Sequence, residues 1–342
     1  MLNPGSRLAI YMEGAVGESS GKMGYGLLRY SPHEIVAVID SRHTGRDIQE
    51  LTDSPRSVPV VGRLVEAVAL GADVLVLGIA PSGGLIPEEW WPVIREAVDQ
   101  LGLSVVNGLH DRIGPHFPSL RQGQFVWDLR QEPEGLGVGT GAAAKLGNRR
   151  ILFIGTDMAI GKMTAGLEVW RVAREQGIDA RFVATGQIGI TIMGDGVPLD
   201  AVRVDYASSA IEREVLKHAD AEWILIEGQG ALLHPGSTAN LPLLRGSCPT
   251  DLILCHRAGQ EHLMKLPEIR IPDLAGYVRL YQDLAEVGGT YPRPRWSGVA
   301  LNTSGLDESE ARTACETWED ELGVPVVDPI RHGVTRLVTA LR

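Results

Sequence analysis

Cysteine is scarce in this chain. It has three among 342 residues, Cys248, Cys255 and Cys315, with no close pairing. That excludes a disulfide-stapled scaffold and suits buried, reduced thiols in the cytosol. Basic charge is also short, with 32 Lys and Arg against 43 Asp and Glu and a net charge of −11. A nucleic-acid binder would show the opposite balance on at least one face. A small anionic substrate stays compatible, because a local positive site can sit on an acidic protein. No apolar run approaches the roughly 18 residues of a membrane span. The start, Met1-Leu-Asn-Pro-Gly-Ser-Arg7, lacks the charged head and apolar core of a signal peptide. Repeats and low-complexity tracts are missing too. The expectation is a cytoplasmic protein with no nucleic-acid partner and no membrane partner.

What is present points to an α/β protein. Hydrophobic residues make up 44%, charged residues 22%, and there are 41 glycines, a composition of packed cores joined by many turns. The length suggests about two domains. Residues 7–13 read as a first strand, followed by a loop with Gly14, Gly17, Gly21, Lys22, Gly24 and Gly26. Residues 34–40 read as a second strand ending in Asp40. This is the outline of a dinucleotide-type βαβ unit without the G-x-G-x-x-G fingerprint, so the loop reads equally as a ligand loop or as plain glycine turns. Residues 58–61 are a third strand, 63–70 a helix, and 73–79 a nearly all-apolar fourth strand, as a parallel sheet covered on both faces requires. The loop Ala80-Pro-Ser-Gly-Gly84 follows at a strand end, where α/β proteins place ligands. A helix over 87–100 and a strand over 103–106 continue the alternation. His110 and His116 flank Asp111, but no further ligand cluster accompanies them, and no metal site is expected. From residue 115 to 148 the pattern loosens. A Rossmann-like domain over 1–140 and a phosphate-loop domain over 149–342 are therefore expected.

The second half opens on the stretch that organises the rest. Residues 151–154 form a short apolar strand; Gly155, Thr156, Asp157, Gly161 and Lys162 follow, then a helical pattern that stops near Gly177. Strand, Gly-Lys loop and helix make a phosphate cradle, since loop N–H groups and the helix start offer partial positive charge and the lysine a full one. The spacing departs from the common motif. Five residues separate the glycines, and Met163 stands directly after Lys162, with Thr164 one place later. Anion binding survives that displacement, while ordinary nucleotide hydrolysis, which uses the hydroxyl on Mg²⁺, is put in doubt. A strand over 179–185 runs into Gly186-Gln187-Ile188-Gly189, and Gly194-Asp195-Gly196 is a sharp turn carrying a carboxylate. A helix covers 208–218. The strand at 223–227 ends in Glu227, an acid where phosphate-loop proteins hold their metal. His234 lies in the next loop, as a proton carrier or a plain loop histidine. Further strands cover 251–256, 298–302 and 324–328, with helices over 309–322 and 334–341. Asn302-Thr-Ser304 is not the guanine-reading Asn-Lys-x-Asp.

Gly155-Thr-Asp157-x-x-x-Gly161-Lys162, with Glu227-Gly228 at a later strand end, resembles dethiobiotin synthetase, which places Thr directly after Lys. A wider match covers most of the chain. Leu27-Leu-Arg-Tyr-Ser31, Val36-Ala-Val-Ile-Asp40, Gly155-Thr-Asp-x-x-x-Gly-Lys-Met-Thr164, Ala184-Thr-Gly-Gln-Ile-Gly189, Ile226-Glu-Gly-Gln-Gly230 and Ala300-Leu-Asn-Thr-Ser304 are similar to the D-glutamate N-acetyltransferase family. That resemblance implies a Rossmann-like N-terminal domain, a phosphate-loop C-terminal domain like that of dethiobiotin synthetase, and acetyl transfer from acetyl-CoA to the amine of D-glutamate or a similar D-amino acid.

On that reading Gly155, Thr156, Asp157, Gly161, Lys162, Met163 and Thr164 hold phosphates of the acyl donor. Attack on a thioester needs a neutral amine, so a base must take a proton. Candidates at predicted strand ends are Glu227, Asp157, Asp195 and His234, with Glu227 favoured; Lys162 or loop N–H groups would meet the oxyanion. Asp195, Gln187 and Arg257 are assigned to the substrate, Arg257 for its carboxylates. Two alternatives stay open: an ATP- and Mg²⁺-dependent ligase or kinase using Lys162, Thr164 and Glu227, or a nucleotide-binding module without turnover. A homo-oligomer is expected.

Overall fold

Val74–Leu77 and Trp223–Ile226 are buried along their whole lengths, which only a sheet covered on both faces allows. Each belongs to a different sheet. The computed structural model describes residues 2–81 and 83–342 and divides into two units, one formed by residues up to Gln131 with Gln187–Ala201, the other by Glu132–Gly186 with Val202–Arg342.

The first unit contains β1 (Arg7–Tyr11), α1 (Lys22–Tyr30), β2 (Glu34–Ile39), α2 (Ile48–Leu51), β3 (Val60–Val61), α3 (Leu64–Ala69), β4 (Val74–Leu77), α4 (Trp91–Arg95), β5 (Ser104–Asn107) and β6 (Val126–Asp128). Its sheet runs β3-β2-β1-β4-β5-β6, and every pair is parallel. This is the Rossmann strand order. The loop expected over 80–84 includes Ser82, which lies outside the described residues.

Two expectations are corrected here. The glycine loop ends at Gly21, because α1 begins at Lys22 and carries Gly24 and Gly26 inside it. A Cβ on Gly24 would run into the Met12 side chain, which is fully buried, so close approach to the end of β1 overrides the poor helix propensity of glycine. The loosened stretch also supplies β6, a three-residue edge strand too short and too half-buried to show a period.

The second unit contains β7 (Arg149–Gly155), α5 (Lys162–Glu175) and β8 (Ala180–Val183). The chain then makes α6 (Gln187–Met193), which packs on α1 in the first unit, where only a glycine-bearing connection was expected. It returns through α7 (Val204–Leu216), which starts four residues before the predicted helix, β9 (Trp223–Ile226), α8 (Asn240–Ser247), β10 (Asp251–Arg257), the small antiparallel pair β11 (His262–Leu263) and β12 (Leu266–Arg270), α9 (Leu274–Glu286), β13 (Arg295–Asn302), α10 (Glu308–Leu322), β14 (Val326–Val327) and α11 (Thr335–Ala340). The main sheet runs β14-β13-β10-β7-β9-β8, again all parallel. β7 is thus central, with β10 and β9 on its two sides. Among the described residues no helix is long and apolar enough to cross a membrane, and the three cysteines are buried and free.

Candidate active site

The site is built on the carboxyl end of β7. Gly161, with φ +108°, turns the chain into α5 through backbone space that side chains avoid. Lys162 then folds back over the strand end. A Cβ on Gly155 would sit 3.1 Å from both Lys162 Cδ and Nζ. Lys162 is 7% exposed, and its Nζ donates to the Asp157 carbonyl at 2.8 Å. Burial pushes its pKa down to about 8, against the upward pull of Cys255, Asp157 and Glu227.

Glu227 comes off the neighbouring strand β9 and is 4% exposed. Its carboxylate accepts from the backbone N–H groups of Thr185 at 2.9 Å and Gly186 at 3.2 Å, while Thr185 Oγ1 donates to its carbonyl. Burial raises the carboxyl to about 7, opposed by those two hydrogen bonds and by the Lys162 charge. Only glycine fits after it, because a Cβ on Gly228 would run into Phe153 O and press on Lys162 Cδ. Glu227-Gly228 is therefore one device: the glycine lets the end of β9 close onto β7 and the Lys162 stem, and the acid before it turns to the Thr185 and Gly186 N–H groups.

Asp157 is tied down. Oδ1 accepts from Met158 N at 2.7 Å, and Oδ2 from Gln260 Nε2 at 2.7 Å and Met264 N at 2.9 Å. Thr156 Oγ1 lies 2.9 Å from His256 Nδ1, and burial lowers that imidazole to about 4, so the pair is a neutral brace under the loop. Tyr277 OH donates to the Gly155 carbonyl at 3.1 Å and accepts from Leu233 N. His234 lies half-buried in the loop after β9, with Nδ1 accepting from Gly236 N at 3.1 Å, which leaves the proton on Nε2. Met163 and Thr164 are half-buried on the first turn of α5.

Residues 137–338 match the family model described as a domain of unknown function (DUF1611_C), P-loop domain, and residues 41–132 match its companion, a Rossmann-like domain (DUF1611_N). The chain belongs to the DUF1611 family. A crystallised DUF1611 protein from Anabaena variabilis superposes with a TM-score of 0.94 at 45% identity, covering 98% of this chain and 99% of that one. Two relatives are named D-glutamate N-acetyltransferase. The one from Pseudoalteromonas is 36% identical, and the one from Tritonibacter scottomollicae 38%, each over 81% of this chain and 84% of the relative.

In this DUF1611 chain the predicted site residues divide between the two units. Gly155, Thr156, Asp157, Gly161, Lys162, Met163, Thr164, Glu227, His234 and Arg257 all lie in the second. Gln187 opens α6 and Asp195 caps the turn after it, Oδ1 accepting from Gly196 N; both fold with the first unit. Sequence reasoning missed Gln260, His256 and Tyr277. Tyr277 had a usable signal, since Leu274, Tyr277, Val278, Tyr281 and Ala285 form the buried stripe of α9 behind the N-cap Asp273.

Of the donors named for the nucleotide alternative, Asp157 has both oxygens taken by N–H groups, Glu227 accepts its two N–H groups on Oε2 alone, and the threonine stands one residue beyond the usual place. Among the described residues no group of three or more His, Cys, Asp or Glu could hold a metal ion.

Proposed function

We propose that this chain is an N-acetyltransferase that moves the acetyl group of acetyl-CoA to the amine of D-glutamate. Two relatives at 36–38% identity carry that activity in their names. The observation that carries the mechanism is that Glu227 and Lys162 are both buried at the ends of neighbouring strands β9 and β7, where burial lifts the acid to about 7 and lowers the ammonium to about 8. A base with a pKa near the working pH is the best compromise between being deprotonated and pulling a proton.

The cradle over residues 155–164 holds phosphates of the acyl donor. Its N–H groups and α5 start supply the fit, and Lys162 exchanges its bond to the Asp157 carbonyl for a phosphate or thioester oxygen. Glu227 takes a proton from the ammonium of the acceptor. The freed amine attacks the thioester carbonyl, the C–N bond forms, the C–S bond breaks, and the proton that the new amide nitrogen sheds passes to the departing CoA thiolate. His234, on the adjoining loop, is a candidate to deliver that proton. The buried cysteines suit a cytoplasmic enzyme.

The test is thiol release from acetyl-CoA, followed with and without D-glutamate. Release that depends on the amino acid, with N-acetyl-D-glutamate as product, is the expected result. Amino-acid-dependent ADP formation from ATP, without thiol release, would overturn the reading in favour of a ligase.

A further inference from the structure

The turn after β10 is polar and incomplete. Arg257 ends β10 half-buried; its Nε is sealed from solvent without a hydrogen-bond partner, and its guanidinium forms no ion pair among the described residues. Arg150 in the same unit shows what a structural buried arginine does. It is 1% exposed, and its guanidinium donates to the carbonyls of Ser247, Cys248, Leu146 and Asn148. Arg257 has none of these. Three residues on, Gln260 donates through Nε2 to Asp157 Oδ2 and to His262 O, while its Oε1 is sealed and unpartnered. The bond to Asp157 fixes that oxygen beside the phosphate loop. Unmade bonds on buried polar groups destabilise a fold, and their persistence calls for a ligand that makes them.

We propose that this turn is the acceptor subsite: Arg257 takes a carboxylate of the amino acid, and Gln260 Oε1 accepts an N–H of its ammonium. An unmatched donor and an unmatched acceptor on one turn are the complement of an α-amino acid, which offers an oxyanion and an ammonium a few ångströms apart. A phosphate of the acyl donor is the other oxyanion that a guanidinium could take. The cradle around Lys162 already provides for phosphate, so the carboxylate is favoured. This subsite rests on the transfer reaction proposed above.

Kinetics of the full chain with Arg257→Ala, Arg257→Gln and Arg257→Lys test it, using D-glutamate and its two monoamides. Removing a hydrogen bond to a charged group should raise the KM for D-glutamate about 10- to 100-fold, leave the KM for acetyl-CoA within about twofold, and abolish the preference for the diacid over one monoamide. Arg257→Lys should recover part of the loss. A rise confined to the acetyl-CoA KM would assign the guanidinium to a donor phosphate and overturn the subsite, as would wild-type values for both substrates. Calorimetry with D-glutamate alone separates this idea from the reaction it rests on. Weaker binding by Arg257→Gln supports the subsite even in the absence of any thiol release, and undiminished binding sinks it.

Discussion

The two sheets end in similar loops that are wired in opposite ways. In the first unit β2 runs into Asp40, which is 0% exposed; Oδ1 accepts from Gly14 N and Arg42 N, and Oδ2 lies 3.0 Å from His43 Nδ1. Gly24 N donates to Gly78 O and Ala80 N to Ser20 O, so the loop after β1 and the first turn of α1 are zipped to the segment after β4. That is the point where the strand order reverses and where open α/β sheets usually admit a ligand. In the second unit β9 runs into Glu227, whose carboxyl is lifted by burial beside a buried lysine, and Arg257 and Gln260 keep atoms with no partner. A strand-end acid that satisfies its own turn is architecture. One whose ionisation is displaced, beside groups left unmatched, is available for chemistry.

Exchanging the two acids for their amides is the hardest test of that contrast. Glu227→Gln should lower kcat by about 10²- to 10⁴-fold, the usual contribution of a general base, with the acetyl-CoA KM nearly unchanged. Asp40→Asn should leave kcat and both KM values near wild type while lowering the unfolding midpoint. Near-normal turnover in Glu227→Gln would remove it as the base. Next in size is Lys162→Ala, expected to raise the acetyl-CoA KM roughly 10- to 100-fold, as loss of a charge-assisted hydrogen bond does. An unchanged KM would mean that the cradle does not grip the donor.

Both acids end apolar strands and both precede glycine-bearing or polar turns, so the alternation that revealed two parallel sheets did not rank them; the Gly-Lys loop at 155–162 favoured Glu227 without showing its surroundings. What separates them is long-range. The partners of Glu227 lie 41 and 42 residues away, Gln260 reaches Asp157 across 103, and Tyr277 reaches Gly155 across 122. Local pattern fixes which side chains stand at a strand end, whereas desolvation depends on which helices and loops cover them. Gln187 and Asp195 show the same limit, because nothing in their neighbourhood announces that their segment folds with the first unit.

The pH dependence sharpens the contrast further. Transfer requires Glu227 without its proton and Lys162 with one, so kcat/KM should climb through about pH 7 and decline above about pH 8. Lys162→Arg should extend the alkaline limb, since a guanidinium stays charged. Stability carries a separate signature. Between pH 4.5 and 7 the folded carboxyl keeps a proton that the unfolded one has released, so this group's contribution falls as pH rises through that window. For Lys162 the unfolded ammonium holds its proton up to 10.5 and the folded one only to about 8, so its contribution rises with pH between those values. Denaturant titrations across pH should show Glu227→Gln losing this acid-side slope.

The smallest effect tests the closed end of the first sheet. Gly24→Ala improves helix propensity by about 1 kcal/mol, yet the new methyl is driven into the fully buried Met12 side chain. Overpacking a tight core costs about 1–3 kcal/mol, so the clash should win and the variant should unfold about 1 kcal/mol more easily, with kcat untouched. The double variant Met12→Ala, Gly24→Ala makes room for the methyl, and a double-mutant cycle should show a favourable coupling between the two positions. If Gly24→Ala were instead stabilising, α1 would have slack against β1. The crevice at β1 and β4 would then be open to a ligand after all, and the distinction between the two sheets would narrow.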